Sequence, residues 1–118
     1  MLNEKDQVMT EKTNHRETLK TAKRIVVKAG SKVLVEQSGR PDTAQLQQLV
    51  EEISYLQCND CEVAFVSSGA IGAGLDALDM ETRPKEIPDL QMAAAVGQIC
   101  LMSLYNELFS RNQCKVGQ

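Results

Sequence analysis

Tryptophan is absent from this chain of 118 residues, histidine occurs once, and aromatic residues make up only 3%. The four aromatics, Tyr55, Phe65, Tyr105 and Phe109, form no series interleaved with Arg or Lys, so the stacking platform of a single-stranded nucleic-acid binder is missing. An excess of positive charge is missing too. Thirteen Lys and Arg stand against sixteen Asp and Glu, a net charge of −3, which gives no electrostatic footprint for nucleic acid or an anionic membrane. The first twenty-two residues contain no apolar core segment of a secretory signal, and no apolar run reaches the length of a membrane span. A cytoplasmic protein with neither nucleic-acid nor membrane partners is the expectation.

Cysteine is less informative than its spacing suggests. Cys58-Asn59-Asp60-Cys61 has the spacing of a redox pair or half a zinc site, but a zinc site needs a second pair, and His15 lies in the polar N-terminal stretch. No metal ligands are assigned. Cys100 falls in an apolar helical pattern and reads as core. Hydrophobic residues at 42% and charged residues at 25% are the proportions of a globular protein, and the length admits one domain or part of one.

What is present is an α/β pattern. Residues 1–22 are too polar to bury and read as a disordered leader, with the folded part at 23–118. Arg24 to Lys28 reads as a strand, stopped by Ala29-Gly30-Ser31, and Lys32 to Val35 as a second short strand. Asp42, with Gln45 three residues on, resembles a capping box, and Leu46, Leu49, Val50, Ile53 and Leu56 recur at helical spacing. Glu62 to Val66 is the next strand. Ser68 to about Leu78 reads as a glycine-rich helix, followed by a loop with Pro84 and Pro88. Leu90 to about Phe109 is a helix apolar almost all round, hence expected to be buried. Lys115 to Gln118 reads as the approach to a further strand. Strands alternating with helices predict a mainly parallel sheet.

In such sheets ligands bind beyond the carboxyl ends of the strands. One end carries Lys28, Gly30 and Ser31; the other carries Ser67-Ser68-Gly69-Ala70 and opens a helix. Free N–H groups at a helix start attract an anion, and small residues let it approach the backbone. If the two strands are neighbours, a lysine and a helix N-terminus converge, a combination suited to phosphoryl transfer. Taken singly these signals are weak. Gly30-Ser31-Lys32 is not a P-loop, and Gly69, Gly72 and Gly74 do not follow the dinucleotide fingerprint and can equally serve close helix packing.

Together they are specific. Ile25 to Ser31, Val66 to Gly74, Arg83-Pro84 and Gln91-Met92-Ala93-Ala94-Ala95-Val96-Gly97-Gln98, in that order and spacing, resemble the glutamate 5-kinase branch of the amino-acid kinase family. The resemblance runs from about Arg24 to Gln118. It implies a three-layer αβα sandwich, incomplete at the C-terminus, and ATP-dependent phosphorylation of the L-glutamate γ-carboxylate to γ-glutamyl phosphate, the first step of proline biosynthesis. It further implies Mg2+ accompanying ATP and a homo-oligomeric parent enzyme. Carried over residue by residue, it assigns Lys28 to phosphate binding and catalysis, Gly30 and Ser31 to the nucleotide phosphates, and Ser68, Gly69 and Ala70 to glutamate. Lys32 departs from the family, which usually has a second small hydroxyl residue there. Because the family's chains continue well past the position of Gln118, half an active site is expected here, inactive alone. The alternatives are the kinase half of a bifunctional pyrroline-5-carboxylate synthase and a short, non-catalytic glutamate-binding or partner-subunit relative.

Overall fold

The computed structural model describes residues 17–36 and 40–118. Most of the leader expected over residues 1–22, including His15, lies outside the described residues; 17–20 are helical. From there the order is β1 (Arg24–Ala29), α1 (Ser31–Leu34), α2 (Thr43–Cys58), β2 (Glu62–Ser67), α3 (Ala70–Ala77) and α4 (Ile87–Arg111).

The two strands pair in parallel, from Arg24 opposite Glu62 to Ala29 opposite Ser67. Alternation along each strand then sorts the residues onto two faces. Val27, Ala29, Val63 and Phe65 join one hydrophobic core with Leu46, Val50 and Ile53 of α2 and Leu101, Tyr105, Leu108 and Phe109 of α4. The opposite face carries Val26, Lys28, Ala64 and Val66, all exposed, with Val26 at 66%. The described residues therefore form an α/β unit with one helical layer on one face of a parallel sheet. The Arg24–Glu62 ion pair (2.6 Å) joins the first register pair, and its exposure limits what it contributes.

Local chemistry accounts for the elements. Asp42 Oδ1 accepts from the Gln45 N–H at 3.0 Å and starts α2. Only half of the expected capping box forms, because the Asp42 N–H already donates to the Leu34 carbonyl at 2.9 Å. Leu46 and Val50 are fully buried and Ile53 nearly so, as the helical spacing requires. Pro88 sits in the first turn of α4, where a missing N–H costs nothing, so this helix starts three residues before the expected Leu90.

Four expectations are corrected. Lys32 to Val35 is not a strand: the Val33 N–H donates to the Gly30 carbonyl at 3.0 Å and closes a helical turn, after which Val35 makes a lone antiparallel bridge to Pro41. Four residues are too few for periodicity to separate the two states, and the turn prevails because it buries Leu34 against α2. The long helix is not buried all round. It buries a stripe through Ala93, Gly97, Leu101 and Tyr105, while Met92 and Ile99 stay exposed, because the described elements pack against one side only. Cys100 is exposed with them rather than core. Finally, α4 at 25 residues is long and apolar enough, by length and composition, to cross a membrane, contrary to the reading that no run reaches that length; here it lies along α3 and the core. Residues 115–118 have no regular structure, with Val116 packed against the core.

Candidate active site at the strand ends

Parallel pairing of β1 and β2 brings their carboxyl ends side by side, and hydrogen bonds join them. The Ala29 carbonyl accepts the Ser68 N–H at 3.2 Å, with the Ser68 hydroxyl 3.5 Å away. Beyond Ser68 the chain turns sharply through Gly69, whose φ of 112° is the left-handed region where a Cβ is strained. Its carbonyl accepts the Ala73 N–H at 3.0 Å and begins α3. A strand, a Ser-Ser-Gly corner and a helix start are thus where the residue pattern put them.

The corner is held from behind by α4. A Cβ on Gly97 would stand 1.7 Å from the Ala70 carbonyl oxygen and 2.3 Å from the Gly74 nitrogen. A Cβ on Gly74 would stand 1.8 Å from the Ala93 oxygen. The two glycines let α3 and α4 touch backbone to backbone, so Gly74 serves packing. Beneath the corner, Ser67 hydrogen-bonds the Tyr105 hydroxyl, whose ring stands edge-on to Phe65 with centroids 5.3 Å apart. Burial pushes the Tyr105 hydroxyl above its ordinary pKa.

In front of the corner lies an open cleft of about 880 Å³. Ser31 and Val35 line it together with Ser68, Gly69 and Ala70, and so do the charged residues Asp79, Glu81 and Arg83. Ser31, Ser68, Gly69 and Ala70, taken from two separate motifs, therefore share one space. Lys28 and Gly30 do not line it. Lys28 is exposed on the uncovered face of β1, opposite Val66, and Gly30 is exposed just before α1. Gly30 has φ −83° and ψ 166°, open to any residue, and a Cβ there would meet nothing within 4 Å.

The cleft also contains charges that the sequence reading did not single out as site residues. Arg40 and Asp76 pair at 2.9 Å across its side. Asp79, at φ 52°, and Glu81 follow α3. Arg83 was visible only as part of the Arg-Pro motif, whereas nothing local marks Arg40 or Asp76. Among the described residues no group of three or more His, Cys, Asp or Glu is arranged to hold a metal ion. A magnesium ion carried by nucleotide phosphates needs no all-protein cage of that kind.

A parallel α/β unit with a small-residue corner over a cleft at its strand ends is the framework of a small-molecule-binding α/β enzyme. Residues 23–118 match the amino acid kinase family, and the chain belongs to it. It is 46% identical over 98 residues to the glutamate 5-kinase of Streptococcus thermophilus (strain CNRZ 1066), covering 83% of this chain and 37% of that one. Against the glutamate 5-kinase of Streptococcus agalactiae serotype III (strain NEM316) the identity is 45% over the same shares. Against that of Geobacter sp. (strain M21) it is 46% over 103 residues, 87% of this chain and 28% of the relative. The chain thus spans little more than a third of the length of these streptococcal relatives.

Proposed function

We propose that this chain contributes the strand-end cleft of a glutamate 5-kinase, which transfers the γ-phosphoryl group of ATP to the side-chain carboxylate of L-glutamate. A carboxylate oxygen of glutamate attacks the γ-phosphorus; the new O–P bond forms as the bond to the β-phosphate oxygen breaks. The products are γ-glutamyl phosphate and ADP, and the acyl phosphate is the activated form from which proline is made. The observation that carries this reading is the meeting of Ser31 with Ser68, Gly69 and Ala70 in one cleft. The relatives, which are glutamate 5-kinases, suggest the substrate.

Roles follow from chemistry. Ser68 and the N–H groups at the Gly69–Ala70 corner bind the glutamate carboxylates, where the start of α3 favours negative charge. Gly30 and Ser31 lie along the nucleotide phosphates, and the space around Gly30 is what a phosphate approaching the backbone requires. Lys28, solvated on the uncovered face, neutralises charge on the transferred group once the rest of the site is built over that face. Magnesium, arriving on the ATP phosphates, would supply further charge neutralisation. Because the described residues build one side of a site, residues 1–118 alone give no turnover; the active species is a longer, homo-oligomeric, cytoplasmic enzyme.

The test is ATP-dependent formation of γ-glutamyl hydroxamate by the full-length protein with hydroxylamine as trap. L-glutamate should support it and L-aspartate should not. Lys28→Ala should lower the rate by about 100-fold or more, the scale of losing a charge-stabilising group, with an unchanged thermal midpoint. Absence of hydroxamate with the wild-type protein sinks the assignment, and near-normal turnover in the variant removes Lys28 from it.

A further inference from the structure

The Ser67–Tyr105 hydrogen bond reaches further than packing. Ser67 has one hydroxyl proton, and its oxygen lies 2.9 Å from the Ser68 carbonyl, which can only accept. That contact uses the Ser67 proton, so in the hydrogen bond between the two hydroxyls the tyrosine donates. The result is a directed chain from Tyr105 O–H on α4, through Ser67 at the end of β2, to the Ser68 carbonyl. Among the described residues there is no cis peptide bond, so the Gly69 N–H points opposite to the Ser68 carbonyl. The carbonyl is drawn back toward Ser67 and the helical layer. The Gly69 N–H has no acceptor among the described residues, and Gly69 lines the cleft.

We propose that Tyr105 and Ser67 are positioning residues which lock the Ser68–Gly69 peptide plane and so aim the Gly69 N–H at the acceptor's carboxylate. This rests on the glutamate-phosphorylating reading of the cleft for the identity of the acceptor, but not for the relay itself. Without the tyrosine proton, the Ser67 hydroxyl is free to rotate and donate elsewhere, and the Ser68–Gly69 plane loses its orientation. Gly69 makes the corner sensitive, since glycine has the widest backbone freedom and no side chain to hold it. Tyr105 touches no substrate, and its effect is felt only by the ligand that uses the corner.

The experiment uses Tyr105→Phe in the full-length protein, which removes the hydroxyl and keeps the ring against Phe65. Ser67→Ala and the double variant accompany it. The expected result is a rise of about fivefold in KM for glutamate, the scale of one hydrogen bond, with KM for ATP unchanged. Because both residues act through one chain, the double variant should be no worse than Ser67→Ala alone. A second readout needs no substrate: the Gly69 amide should change chemical shift in Tyr105→Phe. A Gly69 amide identical to wild type, or KM values for glutamate and ATP that rise together, overturns the relay. If the wild-type protein does not phosphorylate glutamate at all, the functional reading fails and the Gly69 amide alone decides the relay.

Discussion

The seam between α3 and α4 and the start of α1 beside the cleft both carry glycine, in opposite settings. In the seam the space is already filled: Gly74 and Gly97 face backbone atoms of the other helix at distances no Cβ could tolerate. Beside the cleft, which it does not line, Gly30 faces nothing within 4 Å and holds dihedrals that any residue adopts. The fold explains the first pair of glycines completely and the third not at all. The proposed place of Gly30 along the nucleotide phosphates is one reason for a small residue that the protein's own packing does not require. The same contrast divides the sheet, whose covered face is tied into the core while its other face presents Val26, Lys28 and Val66 to solvent.

The sharpest way to break this contrast is Gly97→Ala. The added methyl meets the Ala70 carbonyl and the Gly74 nitrogen, neither of which can rotate aside as a flexible side chain would. The helices must separate, at a cost of about 3 kcal/mol or more for backbone overpacking. Loss of cooperative thermal unfolding, or a large fall in the midpoint followed by circular dichroism, is expected. A midpoint within a degree of wild type would mean that the seam is looser than its geometry states.

Gly30→Ala tests the other side. Alanine fits the backbone there and reduces the freedom of the unfolded chain, so stability should hold or rise by about 0.4–1 kcal/mol. If Gly30 borders the nucleotide phosphates, as proposed, the added methyl should weaken ATP binding. An increase of about tenfold in KM for ATP, or about 1.4 kcal/mol, is expected from steady-state rates of the full-length protein. An unchanged KM with raised stability would make Gly30 an ordinary turn residue and end its parallel with the seam.

How far these two regions could be read in the residues differs in the same way. The helix α2, both strands and the Ser-Ser-Gly corner follow from local pattern, because period, cap and small-residue run each determine one outcome. The α1 turn was read as a strand because four residues carry no decisive period, and its state depends on where Leu34 finds a core. Cys100 and Ile99 were read as buried from composition, yet burial needs a neighbour, and no sequence window reports which side of a helix has one. In the cleft, the meeting of Ser31 with Ser68 follows from parallel pairing. The Arg40–Asp76 pair and the link from Tyr105 to Ser67 join residues 36 and 38 positions apart and leave no local trace.

The smallest effect concerns the wall that joins the two regions. Asp42 caps α2 through its side chain, while its own N–H donates to the Leu34 carbonyl at the end of α1. One residue thus fastens the Ser31 side of the cleft to the helical layer through its backbone, and it stabilises that layer through its carboxylate. Asp42→Ala removes only the carboxylate. The lost cap should cost about 1 kcal/mol, lowering the midpoint of the full-length protein by about 2–4 °C, with KM for ATP unchanged because the backbone hydrogen bond to Leu34 survives. A shift in KM of the size expected for Gly30→Ala would show that α1 is held by the start of α2 rather than by its own buried Leu34. The cleft wall would then belong to the packed part of the molecule, and the division between seam and cleft would have to be redrawn along α1.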